Sequence, residues 1–496
     1  MKQAIVIGSG IGGIASALRL RAKGYDVSVF EKNAYTGGKL SEIRLGSYRY
    51  DAGPSLFTLP EQVDELFYLF GENPREHFNY KQLDTVCNYF WDDGSRLNAS
   101  GNTEKFAHEA ARVCGGDEKS IRQYLKKSRF IYETTAPVFL DQSLHKVRNY
   151  LNIKTLKGVL RMPMLGIFGK LHNANSEQLQ NDKLVQLFNR YATYNGSDPY
   201  RAPAVLQSIP HLEFHTGAWL PEGGMQSISK SLTELAFRQG IRFNLSAEVA
   251  KICVEQKRVT GIEANGEFHS TEVVLCNSDV FTAYRSLLRE FKAPERILRQ
   301  ERSSSALIFY WGIRKQFDAL DVHNIFFSSD YKKEFRLLFE GKNVSHDPTV
   351  YIHVTSIHEK QDAPEGCANW FVMVNVPGDT GQDWEKLRTE IRKSILQKLE
   401  RNLGEAIEPL IEVEDYLDPP RIAARTFSHQ GSLYGASSNS MFAAFLRHAN
   451  YSSSIKNLWF CGGSVHPGGG IPLCLKSAKI AASMIPKANN ENLIQR

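Results

Sequence analysis

The chain has 496 residues, enough for a large core and two or more domains, and its 42% hydrophobic and 23% charged residues are an ordinary globular balance. A net charge of +6 without a polybasic tail argues against a nucleic-acid binder and leaves a mild bias towards anionic membrane surfaces. The seven scattered cysteines form no C-x-x-C pair, so neither a disulfide framework nor a structural metal is expected.

Ala4-Ile5-Val6-Ile7 is an apolar, β-branched run that predicts a strand. It ends at Gly8, Ser9, Gly10, Ile11, Gly12 and Gly13, and apolar residues at helical spacing follow as far as Gly24. Asp26 to Phe30 reads as a second strand, and Glu31 stands at its end. A strand, a glycine turn, a helix and a strand closing on an acid make the dinucleotide-binding fingerprint. Gly8 permits the turn, Gly10 admits a pyrophosphate, and Gly13 lets helix and strand pack closely. A pyrophosphate there lies at a helix N-terminus, and Glu31 would accept ribose hydroxyls and disfavour a 2′-phosphate. Gly37-Gly38-Lys39 follows closely. A simple NAD dehydrogenase has no need of that turn, which selects FAD as the cofactor.

Asp51-x-Gly53-Pro54-Ser55 is a turn placed to reach a flavin, and Glu61 to Phe70 reads as an amphipathic helix. Phe78 to Asn98 predicts short strands with a hairpin at Asp93-Gly94. From about 103 to 195 the pattern is helical. Within it, 147–171 mixes basic and apolar residues, as suits a helix at a lipid interface; an ordinary helix on the core, with solvated lysines, is the other reading. Gln226 to Gln239 predicts a helix, Val249 to Ile262 a hairpin, and Glu272 to Asn277 a buried strand. Further strands are expected at Ser305–Tyr310, Thr349–Thr355 and Trp370–Val376, and a helix at Asp383–Asn402. The aromatic residues Phe309, Tyr310, Trp311, Phe326, Phe327 and Phe371 are candidates to line a substrate tunnel, or plain core.

Asn457 to Gly463 is a strand ending in glycines. It is followed by Ser464-Val465-His466-Pro467-Gly468-Gly469-Gly470-Ile471-Pro472 and a helix from Leu473 to Met484. A second glycine turn at a helix N-terminus suits a flavin ring or its carbonyl edge, so the two ends of the chain are expected to share one cofactor.

With these motifs in view the sequence resembles the bacterial-type carotenoid (phytoene) desaturases. The resemblance rests on Gly8 to Gly13 with Glu31, Gly37 to Lys39, Asp51 to Ser55, Gly196 to Ala204, Pro221 to Met225 and Asn457 to Ser477. Val465, Gly469 and Pro472 depart from phytoene-acting members and look more like the 1-hydroxycarotenoid 3,4-desaturase branch. The resemblance implies an α/β fold: a Rossmann-like, GDP-dissociation-inhibitor-like FAD domain built from 1–75, 225–285 and 415–496. An α+β substrate domain would occupy 76–224 and 286–414, with 147–171 as a membrane-interface helical region.

It further implies FAD-dependent introduction of a C=C bond into a carotenoid, by hydride transfer to flavin N5 and loss of a proton. The first expectation is 3,4-desaturation of a 1-hydroxycarotenoid. The alternatives are a phytoene or dehydrosqualene desaturase and, more distantly, a flavin amine oxidase or a cofactor-free prenyl-binding chaperone. The substrate would come from lipid and oxygen or a quinone would take the electrons. The protein would be cytoplasmic and peripheral on the membrane, since no leader and no run of about 18 apolar residues is read. The expected FAD contacts are Gly8, Ser9, Gly10, Ile11, Gly12, Gly13, Glu31, Lys32, Gly38, Lys39, Leu40, Gly53, Pro54, Ser55, Val249, Asn277, Asp279, Gly463, Gly470, Ile471 and Pro472. No metal is expected. His466 is the one acid–base candidate beside the flavin motif, although a glycine turn favours a structural role; His215 and Glu222 are weaker still.

Overall fold

The computed structural model describes residues 1–146, 149, 169–440, 443 and 446–488. The apolar run at the start forms the strand Gln3–Ile7, buried from Ala4 onwards. It is the middle strand of a five-stranded sheet in which every pairing is parallel. On one side lie Asp26–Phe30 and then Arg242–Asn244; on the other lie Val273–Cys276 and then Leu458–Phe460. Parallel strands need crossovers, and here the chain leaves the sheet for long stretches and returns. Residues near 5, 30, 243, 275 and 459 thus become neighbours.

The helix Ile11–Ala22 lies beside the C-terminal helix Ile471–Met484. Ala15 and Ala17 on the first and Ala478 and Ala481 on the second are wholly buried. Small side chains let the two backbones approach, which brings both helix N-termini to one end of the sheet. A separate three-stranded antiparallel sheet (Val249–Glu255, Arg258–Ala264, Glu267–Ser270) extends the expected hairpin by one strand.

The second large sheet has seven strands in the order Ile411–Leu417, Ser305–Ile313, Ala368–Val376, Val350–His353, His323–Phe326, Thr85–Phe90 and Arg96–Ser100. The last two are the expected Asp-Gly hairpin, joined to the rest by a parallel pairing of Phe90 with Phe326. Helices Thr103–Cys114, Glu118–Phe139, Leu171–Leu179 and Asp182–Asn189 realise much of the helical stretch. Most of the segment 147–171, read as a membrane-interface helix, lies outside the described residues. Among the described residues no helix is long and apolar enough to cross a membrane.

Candidate functional site

The glycine turn behaves as its residue types require. Gly8 has φ +89, and a Cβ built on Gly13 would lie 2.0 Å from the Gly8 carbonyl oxygen. Only hydrogen fits there, so the helix begins in direct contact with the strand end. A Cβ on Gly10 would sit 2.8 Å from Asn277 Oδ1. Asn277 closes the strand Val273–Cys276, and its Nδ2 donates to the Cys461 carbonyl at 3.3 Å. The helix Ile11–Ala22 has Gly10 as its N-cap and no side-chain cap.

Glu31 leaves the second strand and turns back on the glycine turn. Its Oε2 accepts from Ser9 N–H at 2.8 Å and from Ser9 Oγ at 2.9 Å, and its Oε1 accepts from Asn33. The Gly-Gly-Lys turn docks on the same backbone, with Gly37 N–H donating to the Ser9 carbonyl at 2.9 Å. Lys39 is half-buried in the wall, and its Nζ donates to the carbonyls of Ser432 and Leu433. Burial pulls its pKa below the usual lysine range. Gly53 packs on Lys39, since a Cβ there would be 2.7 Å from the Lys39 carbonyl.

The C-terminal turn closes the ring. Gly469 lies against Tyr434, and Gly470, with φ +101, is the N-cap of Ile471–Met484 without a side-chain cap. A Cβ on Gly470 would meet nothing within 4 Å, so the space above it is open.

These pieces wall one cavity of about 900 Å³. Gly8, Gly10, Ile11, Gly12, Glu31, Lys32, Gly38, Lys39, Leu40, Gly53, Pro54, Ser55, Val249, Asn277, Asp279, Gly463, Gly470, Ile471 and Pro472 all line it. Ser9 and Gly13 stand behind the wall, Ser9 fixing Glu31 and Gly13 seating the helix. Two helix N-termini without side-chain caps face this cavity, and each leaves backbone N–H groups for an anion. A carboxylate for ribose, a half-buried lysine and a glycine-floored open slot complete a set that fits a dinucleotide bearing a flat ring.

His466 is elsewhere. Its ring is buried, bonded through Nε2 to the Gln142 carbonyl at 2.9 Å, and pushed down to about 4 by burial, while neighbouring Pro467 reaches the cavity. His215 and Glu222 do not line the cavity either.

Beyond the cofactor cradle the cavity continues over one face of the seven-stranded sheet. Its floor is a cross-strand row in register: Leu417 opposite Ile308, Ile308 opposite Met373, Met373 opposite Tyr351, and Tyr351 opposite Ile325. The six aromatic residues proposed for a tunnel are not in that wall. Phe309, Trp311 and Phe326 are buried in the core on the helix Trp384–Leu403, Phe327 packs under the helical region, and Tyr310 and Phe371 lie in a third cluster. Strand alternation turned the first three to the opposite face.

No motif or periodicity announces a buried polar cluster in the wall. Arg190 Nη2 donates to Glu213 at 2.8 Å, and both line the cavity. On the seven-stranded sheet, Tyr351 donates to Ser55 Oγ at 2.8 Å and lies 2.8 Å from His323 Nδ1. Arg447, also in the wall, donates to the Tyr434 carbonyl at 2.9 Å, and burial brings its guanidinium down to about 10.

Comparison with known proteins agrees with this architecture. The family described as flavin containing amine oxidoreductase matches residues 11–485. A 1-hydroxycarotenoid 3,4-desaturase from Flavobacterium sp. (strain P99-3) is 53% identical over 489 residues, 99% of this chain and 100% of that enzyme. A 4,4'-diapophytoene desaturase (4,4'-diaponeurosporene-forming) from Staphylococcus aureus (strain Newman) is 28% identical, covering 97% of this chain and 98% of that one. Among solved structures, the cyclohexylamine oxidase from Brevibacterium oxydans IH-35A superposes with a TM-score of 0.62 at 13% identity, over 97% of this chain and 98% of that one, which speaks for the fold. An FAD-dependent oxidoreductase by its cradle and by its relatives, this chain belongs to the flavin containing amine oxidoreductases.

Proposed function

We propose that this enzyme is a carotenoid desaturase that introduces the C3–C4 double bond of a 1-hydroxycarotenoid. The observation that carries the reading is the 53% identity to an enzyme of that name across 99% of the chain. The extension of the cofactor cavity over the row Leu417, Ile308, Met373, Tyr351 and Ile325 supports it, because a polyene needs a long and mainly apolar slot. Bound FAD supplies the two-electron acceptor.

The residues of the chain bind, orient and keep the site dry. The glycine turns at Gly8–Gly13 and Gly462–Gly470 would hold the cofactor's two ends, with Glu31 placed to take the ribose and Lys39 in the wall of the same cavity. The apolar floor aligns the substrate chain and excludes water. Because C4 is allylic to the polyene, developing positive charge spreads along the substrate, so the wall need not offer a strong base. His466, bonded to Gln142 and shut off from the cavity, is not cast as one. The segments 1–75, 225–285 and 415–496 serve as the FAD domain and the remainder as the substrate domain. The mixed basic and apolar stretch 147–171 takes the protein to the cytoplasmic membrane face, where substrate dissolves and oxygen or a quinone reoxidises the cofactor.

The test is a substrate panel. Purified FAD-loaded protein, with an electron acceptor, is given a 1-hydroxylated carotenoid, phytoene and diapophytoene in lipid vesicles, and products are read by absorbance and mass. The reading expects a red-shifted product two hydrogens lighter from the first alone. Turnover of phytoene with none of the hydroxylated substrate would sink it.

A further inference from the structure

We infer that Arg190, Glu213 and Tyr194, together with the His323–Tyr351–Ser55 chain, form the subsite that binds the substrate's tertiary hydroxyl and so sets which carbon–carbon bond meets the flavin. This rests on the reaction proposed above. It deepens that reading by assigning the hydroxyl a place in the fold.

The cavity is otherwise floored by aliphatic side chains, and a hydrocarbon needs no buried ions along its path. Arg190 and Glu213 are nevertheless 6% and 1% exposed, paired at 2.8 Å, and part of the cavity wall. An ion pair of this kind costs much desolvation, which its hydrogen bonds offset only if most are made. Most are: Glu213 also accepts from the hydroxyls of Tyr191 and Tyr194, and Arg190 Nε donates to the Tyr89 hydroxyl at 2.8 Å. Arg190 Nη1 is the less committed arm, with Tyr194 Oη at 3.4 Å. Tyr194, partly open in the wall, carries the polar surface of this pair to the cavity.

The second element is a relay of neutral groups. The single proton of the Tyr351 hydroxyl goes to Ser55 Oγ at 2.8 Å. His323 Nδ1, 2.8 Å from that hydroxyl, must then donate its own proton. Nε2 is left as a bare lone pair, buried and without a partner among the described residues. Burial, with the positive charge of Arg190 adding to it, keeps the ring neutral. A neutral acceptor and a cationic donor in the wall of one cavity suit an alcohol, which both gives and takes a hydrogen bond. A carboxylate or amine substrate would call for a single charge of opposite sign.

Position gives this subsite its consequence. Ser55 belongs to the loop that carries Gly53 and Pro54 into the cofactor cradle, so the polar wall adjoins that cradle. In a 1-hydroxycarotenoid the hydroxyl carbon is C1 and the reacting bond is C3–C4. A hydroxyl fixed beside the cradle therefore holds that bond, rather than one further along the polyene, at the cofactor.

The experiment uses the full FAD-loaded protein, a 1-hydroxylated polyene and the matching 1-deoxy, 1,2-saturated polyene in phosphatidylcholine vesicles. Wild type is expected to prefer the hydroxylated compound in kcat/KM by roughly 10- to 100-fold, the cost of leaving a buried hydrogen-bonding group unpaired. Tyr194→Phe, His323→Leu and Glu213→Gln should each shrink that ratio, losing more on the hydroxylated than on the deoxy substrate. Binding of the two 3,4-desaturated products, followed by tryptophan fluorescence, should change in the same order. Melting temperature and flavin content select the variants that fold, and Tyr194→Phe is the mildest of the three. The assignment is overturned if every folded variant lowers both substrates by one common factor, or if wild type treats the two alike. In either case 3,4-desaturation itself still stands. Turnover of phytoene with neither of these substrates would overturn the reaction reading and the subsite together.

Discussion

The Glu31 carboxylate accepts both the backbone N–H and the hydroxyl of Ser9, at 2.8 and 2.9 Å, so one side chain ties the end of the second strand to the first glycine turn. The carboxylate lines the cavity as well, and its geometry is set before any ribose arrives. Glu31→Ala removes a charge-assisted acceptor worth about 1.5–3 kcal/mol. FAD affinity of the refolded apoprotein should fall by roughly 10- to 100-fold, read by quenching of flavin fluorescence, with only a few degrees lost in melting temperature.

Gly13→Ala is expected to be far more damaging than its size suggests. The added carbon would lie 2.0 Å from the Gly8 carbonyl oxygen, and that oxygen belongs to a turn with no slack. The helix must shift, at a cost of about 1–3 kcal/mol or more. The protein should purify without flavin and melt early. A yellow protein of wild-type stability would show that this contact does not limit the fold.

What the sequence disclosed and what it hid follow one physical division. Turn chemistry is local: the backbone freedom of Gly8 and the uncapped helix at Gly10 are written in adjacent residues, so the cradle was readable from 1–40 and 457–472. The substrate wall is not local. Which of Ile308 and Phe309 faces the cavity depends on the strand's orientation in a sheet whose seven strands come from across the chain. The aromatic run Phe309, Tyr310 and Trp311 therefore lies outside the wall, while Ile308 and Met373 line the slot. Arg190 and Glu213 stand 23 residues apart in separate helical elements, and no periodicity announces that they meet.

Arg49 offers a test of how the Asp51–Ser55 loop is held. Its guanidinium binds Asp51 at 2.8 Å, Asp362 at 3.1 Å and Glu42 at 2.8 Å, and Asp51 in turn accepts from Met225 N–H at 3.0 Å. Burial already raises both Asp51 and Asp362, Arg49 opposing it. Arg49→Leu would strand two buried carboxylates and should cost about 3–5 kcal/mol. Without the cation the native state binds protons more tightly than the unfolded chain, so lowering the pH from 7 to 5 should recover part of the loss relative to wild type. Urea midpoints at the two pH values measure it.

Acid stability should depend on the buried imidazoles, His448 and His466 among them. Burial pushes His448 and His466 down to about 4, against 6.5 for the free side chain. Between those values the unfolded chain holds more protons than the native one, so stability is complete above pH 6.5 and declines as pH falls towards 4. Each contributes of the order of 1–3 kcal/mol to that decline. His466→Asn removes one titrating group and should flatten the fall of melting temperature between pH 6.5 and 4. An unchanged slope would mean that its neutral form is not what the fold requires.

The floor of the substrate slot can be filled on purpose. Met373 lies between Ile308 and Tyr351 in the cross-strand row and is only partly buried, because its outer side faces the cavity. Met373→Trp puts an indole where the polyene should run and leaves the glycine turns at Gly8–Gly13 and Gly462–Gly470 untouched. FAD should still bind, since no atom of the cradle moves. A long carotenoid should meet a blocked slot, with KM raised by about 10-fold or more, the scale expected when several methylene contacts are lost. Flavin absorbance and kinetics on the same preparation separate the two effects. Loss of flavin with the substrate would mean that cradle and slot fold as one unit, whereas wild-type kinetics would mean that the substrate takes another route through the cavity.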